Sequence, residues 1–359
     1  MSLPDRLRRV LPRLEEAALR GEEHEALRLR IAAALRPAVG FDVACVATLD
    51  PVTSMFTHCA LDGCERDHAF EAALFEAEYR TEDVAPMPEV ARRARPVAVL
   101  TAETGGDPSR SARFRNAFSP AGFGDELRLV LADAGVTWGS VQLLRGRGST
   151  FGIAEAEALA AVARPLARLL RLSLLRTASS RPADVDGDPP GVLLVGEGGT
   201  VEDASPEALK LLAGPVPGAA PQAVLAVAAR ARAGRPARVT TAAGGGWLAF
   251  HGTVVGGRVA VLVERARPLQ IAEVVASALA LTPRERAVLA EVTRGRATKE
   301  IARRLKVTEW TVQDHLKSLF GKTGTSTRQE LVAALFFGHW APRHEAGSTP
   351  SPYGHYLRG

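Results

Sequence analysis

The chain is poor in the features that hold small secreted or membrane-embedded proteins together. Three cysteines in 359 residues, Cys45, Cys59 and Cys64, are too few to staple a scaffold of this length and suit a reducing compartment. Long apolar segments are missing as well. Two runs, Leu211–Ala229 and Val239–Gly257, lack Asp, Glu, Lys and Arg. The first carries Pro215, Pro217 and Pro221, each a helix breaker, and the second holds six glycines in a strand-like pattern. Neither is expected to span a membrane, which takes about 20 apolar residues. The first twenty residues alternate charged and apolar positions without the apolar stretch of a secretory leader, so a cytoplasmic protein is expected. Lysine is scarce too: only five lysines stand among the 45 basic residues.

Against these absences, 46% of the residues are apolar and 24% are charged, a composition that excludes wholesale disorder. The length argues for two or three domains, each able to bury its own core. Charge is unevenly placed. Residues 281–334 hold eleven Lys or Arg against six Asp or Glu, a net of +5, which equals the net charge of the whole chain. Four of the five lysines, Lys299, Lys306, Lys317 and Lys322, fall there and the fifth is Lys210. A compact basic segment suits a surface that meets a polyanion, because neutralising phosphates releases counterions. A solvated helical face gives the same count.

Residues 1–36 read as helices with arginine and glutamate outside, followed by a β-branched run, Phe41–Leu49, that suits a buried strand. Glu126–Ala132, the turn Asp133-Ala-Gly135 and Val136–Leu144 form an antiparallel hairpin pattern. From Phe151 to Leu175 the pattern is helical, with Leu159, Val162, Leu166, Leu169, Leu170 and Leu174 on one face, available to a sheet or to a second copy. Pro165 is expected to kink this helix or divide it. Thr177–Pro190 has the Ser, Pro, Asp and Gly content of a linker. Beyond it come Gly191–Val195, a Gly-rich turn, a capped helix start at Ser205-Pro206, and a three-stranded antiparallel meander, Arg238–Thr241, Trp247–His251 and Arg258–Glu264. After Arg265 short amphipathic helices follow. The expected fold class is multidomain α+β: an antiparallel sheet with helices over 1–176, a linker over 177–190, a smaller α+β module over 191–265, a connecting helix over 266–280, an all-α domain of four short helices over 281–337, and a disordered tail over 338–359.

Within the helical domain, Leu281-Thr-Pro-Arg-Glu285 is a helix start, with Thr282 as cap, Pro283 at the first position and Glu285 closing a capping box. This helix buries Val288, Leu289 and Val292 and stops at Gly295. A second helix, Lys299–Leu305, places Ile301, Ala302 and Leu305 on one face. After the turn Lys306-Val307, Thr308 caps a third helix that runs to Phe320. Its inner stripe is Val312, Leu316 and Leu319; its outer stripe is Trp310, Gln313, Asp314 and Lys317. Two short helices joined by a tight turn, the second presenting long polar side chains, describe a helix-turn-helix reader whose third helix enters the major groove. A fourth helix starts at Thr327, with Glu330 in capping-box register, and its Leu331–Phe337 face is more apolar than one small domain buries.

This segment resembles the LuxR-type (GerE-like) DNA-binding domain: Thr282, Glu285, Gly295, Lys299, Ile301, Leu305, Thr311, Val312, His315, Leu316, Lys322 and Glu330 stand where that family's pattern places them. Ala297 departs from a common serine cap, with Thr298 as a substitute, and Thr308 replaces a serine. The resemblance implies that Gln313, Asp314 and Lys317 face base edges and that Lys299, Thr308, Thr311, His315 and Lys322 approach phosphates. It also implies that the fourth helix, through Leu331 and Leu335, pairs two copies on double-stranded DNA, reading half-sites about 10 base pairs apart. Side-chain chemistry agrees, since Gln pairs with adenine, Lys reaches guanine and Asp accepts from cytosine. For Asp314 the alternative of holding Lys317 or capping locally stays open, and for Lys299 and Lys322 that of a solvated charge.

Residues 1–176, through Ser111–Arg128 and Trp138-Gly139, resemble a GAF domain, and 191–264 resemble a PAS-like module in their order of strand, turn and helix. Both folds offer a pocket and neither requires a cofactor. His58, Cys59, Cys64 and His68 match no zinc spacing, and His58 and Cys59, adjacent on a strand, point to opposite faces. Packing roles are therefore expected of them, ahead of metal binding or thiol redox sensing, and Trp138 reads as core. No phosphate loop, GxSxG elbow, HExxH or complete GxGxxG is present, and the acidic pair and lysine of a receiver domain are missing. The expected function is a sequence-specific DNA-binding transcription regulator, not an enzyme. Its helix-turn-helix homodimer would answer to a small-molecule or protein effector at the GAF-like and PAS-like modules, with RNA polymerase as a partner. The alternatives are docking mainly on the transcription machinery, or ligand, metal or redox sensing with incidental DNA contact.

Overall fold

The computed structural model describes residues 3–20, 24–133, 135–180, 189–214, 220–243, 246–279, 281–323, 325–331, 349–350 and 356–357. Helices α1 (Leu3–Arg20) and α2 (His24–Leu35) precede the hairpin β1 (Val43–Leu49) and β2 (Phe56–Asp62). Helix α3 (His68–Arg80), the single turns α4 (Met87–Val90) and α5 (Leu100–Glu103), and strand β3 (Val97–Val99) lead to the long hairpin β4 (Phe123–Asp133) and β5 (Val136–Gly146). All five strands pair antiparallel in the order β2-β1-β5-β4-β3. Strand alternation sorts the side chains: Leu127, Leu129 and Leu131 of β4 join the core beneath α1, α2 and α7, whereas Glu126 and Arg128 look the other way, toward α3.

The helical stretch after Phe151 is two helices, α6 (Ile153–Ala160) and α7 (Ala163–Ser180). The division falls at Ala161–Val162, so Pro165 sits in the first turn of α7, where its missing N–H costs no helical bond. Leu159, Val162, Leu166, Leu169 and Leu170 bury in the same core as Trp138, so this stripe is spent on the sheet and α1, not on a second copy. Helix α7 runs to Ser180, past the boundary expected at 176. Most of the expected linker, 181–188, lies outside the described residues.

Beyond it, β6 (Gly191–Val195), β7 (Val201–Ala204), α8 (Pro206–Leu211), α9 (Gln222–Arg232), β8 (Ala237–Ala243), β9 (Gly246–Val255) and β10 (Arg258–Arg265) form a second antiparallel sheet. It has five strands, order β7-β6-β10-β9-β8: the expected three-stranded meander is present as β8, β9 and β10, and β6 and β7 extend it. Strand β7 is four residues long and follows the Gly-rich turn, too short to show a period. Helix α9 begins after Pro221 and takes its first eight residues, Gln222–Ala229, from the uncharged run that the prolines seemed to break; nine of its residues are buried. A helix apolar on every side is one covered on every side. On one side lie β8 and β9, and at Gly252 a Cβ would come within 2.6 Å of Val227 Cγ1, so only glycine allows this approach. On the other side lie α3 and β2 of the first module, so that Phe56, Phe75, Val224 and Val227 share one core.

Polar contacts tie the same seam. Arg232 Nη1 meets Glu76 at 2.8 Å, Gln222 Nε2 donates to Glu71 at 3.2 Å, and the Thr240 N–H donates to Asp50 at 2.9 Å. Burial raises the Asp50 carboxyl above its ordinary range, against the lowering pull of that N–H. His58 also sits here, 3.3 Å from Thr241 Oγ1, and burial, helped by Arg28 and His24, pushes it down to about 3, so it is neutral. No cluster of His, Cys, Asp and Glu fit to hold a metal occurs among the described residues. Cys59 does not stay a simple packing thiol: it is joined to Cys45 by a disulfide across β1 and β2, while Cys64 is free and exposed. This pair departs from the reduced thiols expected from the low cysteine count; it links adjacent strands and staples no long loop.

Helix α10 (Pro268–Ala278) follows. Val274 packs with Trp247 of β9, Ala278 joins the first module's core, and Val275 and Leu279 touch the core of the helical domain. Among the described residues no helix is long and apolar enough to cross a membrane. Of the tail expected to be disordered, Thr349–Pro350 and Tyr356–Leu357 are described and pair as two short strands; the rest lies outside the described residues.

Candidate nucleic-acid interface and sensor cavity

Helices α11 (Pro283–Thr293), α12 (Thr298–Leu305) and α13 (Glu309–Thr323) enclose a core of Val288, Leu289, Val292, Ile301, Ala302, Val312, Leu316 and Leu319. Each start follows from its sequence. Thr282 Oγ1 accepts from the Glu285 N–H at 3.2 Å while Glu285 accepts from the Thr282 N–H at 2.6 Å. Gly295, at φ +76°, ends α11 in the left-handed region. Ala297 is the cap residue of α12 and supplies no side-chain bond; Thr298 is the first helical residue and does not substitute for it. Thr308 Oγ1 accepts from the Thr311 N–H at 3.1 Å and so caps α13.

Glu285 does more than cap. Ser318 Oγ donates to it at 2.6 Å and Lys322 Nζ lies 2.6 and 2.9 Å from its two oxygens, which fastens α13 to α11. Burial opposes its charge, but Lys322, Ser318 and Thr282 together outweigh burial and hold the carboxyl down to about 2. A depressed carboxyl stabilises the fold above its unfolded value and loses that contribution as pH falls through its folded one. The helical domain should therefore lose stability between about pH 4.5 and 2, and Glu285→Gln should flatten that decline in thermal unfolding followed across the range. An unchanged slope in the variant would assign the acid sensitivity to other carboxyls.

The basic excess of this region is partly consumed inside it. Glu291 gathers Arg294 at 2.7 Å, Arg296 at 2.8 Å and Arg304 at 2.9 Å. Lys322, expected near phosphate, is held by Glu285. By contrast Gln313, Asp314 and Lys317 are exposed on one side of α13, Thr308 and Lys299 are exposed, and Thr311 and His315 are half-buried beside them. Neither Lys299 nor Lys317 makes an ion pair among the described residues, and Asp314 does not hold Lys317. Trp310 stands on the same outward side, 75% exposed. At the start of the fourth helix Thr327 Oγ1 accepts from the Glu330 N–H at 3.0 Å, as expected. Leu331, expected on a pairing face, is fully buried in the domain's own core at 0% exposure; Leu335 lies outside the described residues.

Residues 279–335 match the luxR family of bacterial regulatory proteins. The chain is also similar to a curated relative, response regulator Rre1 from Synechocystis sp., at 48% identity over 54 residues. That stretch is 15% of this chain and 23% of the relative, so the chain spans about a quarter of the length of the protein it matches. Residues 1–278 fall outside the family match.

On the sheet face opposite α7, a cavity of about 80 Å³ is lined by Phe56, Phe70, Phe75 and Phe118, by the Cys45–Cys59 disulfide, and by Glu126, Arg128, Gln142 and, from α9, Gln222. Its polar wall is a buried charge network. Arg113 lies 2.6 Å from Glu126 and 3.0 Å from Asp83; Arg128 lies 3.2 Å from Glu126 and 2.8 Å from Glu78. Burial works against the Glu126 charge, yet Arg113 and Arg128 prevail and its pKa falls below the ordinary value. Gln142 Oε1 is buried without a hydrogen-bond partner. Sequence reasoning passed over this site, although Glu126 and Arg128 alternating with leucines on a strand were its visible signal: charges on a face with no solvent must answer each other.

Proposed function

We propose that the chain is a sequence-specific DNA-binding transcription regulator, acting in the cytoplasm as a homodimer on double-stranded DNA under the control of an effector received by its two sheet modules. The observation that carries this reading is the outward stripe Gln313, Asp314 and Lys317 on a capped helix of a luxR-type domain. In the major groove Gln313 pairs with adenine, Lys317 with guanine, and Asp314 accepts from cytosine. Lys299, Thr308, Thr311 and His315 approach phosphates and set the register. Lys322 acts through Glu285, fixing the angle of α13 instead of touching the backbone. Because Leu331 is turned inward, pairing of two copies is assigned to the sequence that follows it, Leu335 included.

The antiparallel sheets with helices on their faces support GAF-like and PAS-like readings of the two modules. The cavity beside Gln142 is where the effector binds, and α10, in contact with both modules and with the luxR-type core, carries the signal onward. Such control requires only that the effector bind one arrangement more tightly than the other. RNA polymerase is the partner of the DNA-bound dimer. Random-oligonucleotide selection with the full chain tests the central reading: one motif should be enriched, with affinity falling steeply as salt rises. A chain that enriches no sequence at any salt concentration would instead favour docking on the transcription machinery.

A further inference from the structure

Trp310 has not been given a role, and its placement is costly. It is the second residue of α13 and 75% exposed, although tryptophan is a residue that proteins usually keep largely covered. Other large apolar side chains are exposed too, at Ile153 and at Val254 and Val255, but those lie at a helix start and a hairpin tip away from any candidate interface. Trp310 differs in its neighbours. With 100° between successive helical residues, positions 310, 313, 314 and 317 fall on one side, and Trp310 is the member nearest the N-terminus. In helix-turn-helix readers it is the N-terminal end of the second helix that reaches base edges.

We propose that Trp310 reads a thymine in each half-site through the C5 methyl group of that base. The inference rests on the base-reading role of α13. An indole offers one N–H and otherwise apolar surface. Laid against guanine, adenine or cytosine in the major groove, it would cover donors and acceptors without pairing them, which is unfavourable. Thymine alone among the four presents a methyl group there, and apolar side chains meet it by contact. The side chain would also displace no counterion, so it contributes to sequence preference without adding to the salt dependence.

The test uses the full chain and the sequence it selects. Each thymine of that sequence is replaced in turn by deoxyuridine, which removes the methyl group and nothing else, and binding is measured for the wild-type chain and for Trp310→Ala. One thymine per half-site should weaken wild-type binding about fourfold when replaced, as expected for one methyl group's worth of apolar burial. Trp310→Ala should be indifferent to that replacement, weaker on the unmodified sequence, and unchanged in the slope of log K against log salt. The proposal is overturned if every thymine is replaceable without effect, or if the sensitive thymine is equally sensitive in the variant. Lys317→Ala and Gln313→Ala separate the two layers: relaxed preference in these variants, with no thymine whose methyl group depends on Trp310, defeats the thymine contact alone, whereas intact preference in both defeats base reading by α13.

Discussion

Replacing Glu126 by leucine should lower the stability of the paired sheets by about 3–5 kcal/mol, the cost of leaving buried charge uncompensated. Glu126 is 1% exposed and is the shared carboxylate between Arg113 and Arg128, themselves 3% and 4% exposed. Removing it leaves two buried guanidiniums with Asp83 and Glu78 as carboxylate partners and the Val84 and Ala85 carbonyls as acceptors. The converse change is instructive. Replacing the whole set together, Arg113→Met, Arg128→Met, Glu126→Leu, Glu78→Gln and Asp83→Asn, should recover much of the loss, because no carboxylate is then left buried without its cation. Calorimetry on the three chains decides it. Near-equal melting of wild type and Glu126→Leu would mean that water reaches the network and screens it.

The second large effect concerns DNA. Lys317→Ala and Gln313→Ala should each weaken binding to the preferred sequence by about 1–3 kcal/mol per half-site, roughly five- to 150-fold, and relax the preference at one base position. Both side chains are exposed and outside the domain's core, so the fold should be untouched. Lys299→Ala should behave differently: weaker binding to all sequences alike, and a salt slope smaller by about 1. Competition titrations with the preferred and a scrambled duplex, at several salt concentrations, read out both patterns. A Lys317→Ala chain that loses affinity uniformly would make this lysine a phosphate contact.

The helical domain was legible because its signals are local. Thr282, Pro283, Glu285, Gly295 and Thr308 act through residues three or four positions away, and the structure forms their caps and stops as those spacings dictate. The hairpin at Asp133-Ala-Gly135 is local in the same sense. What stayed hidden depends on partners far along the chain. Helix α9 carries no amphipathic period because two surfaces from different modules cover it. Strand β7 exists through pairing with β6, and Cys45 meets Cys59 only once β1 and β2 are in register. Of the outward residues on α13, chemistry singled out the polar ones, while the hold of Glu285 on Lys322 and of Glu291 on its arginines, which decides how many cations of the region remain available, lies beyond local spacing.

The burial of α9 between two sheets bears on how this molecule can be divided. A cut in the stretch after Ser180, where composition marks a boundary, would leave Val224 and Val227 without α3 on one fragment and Phe56 and Phe75 without α9 on the other. Both fragments would offer water an open apolar wound and stick to themselves or to their surroundings. The two sheet modules therefore share one core, and a perturbation of either one is felt by both.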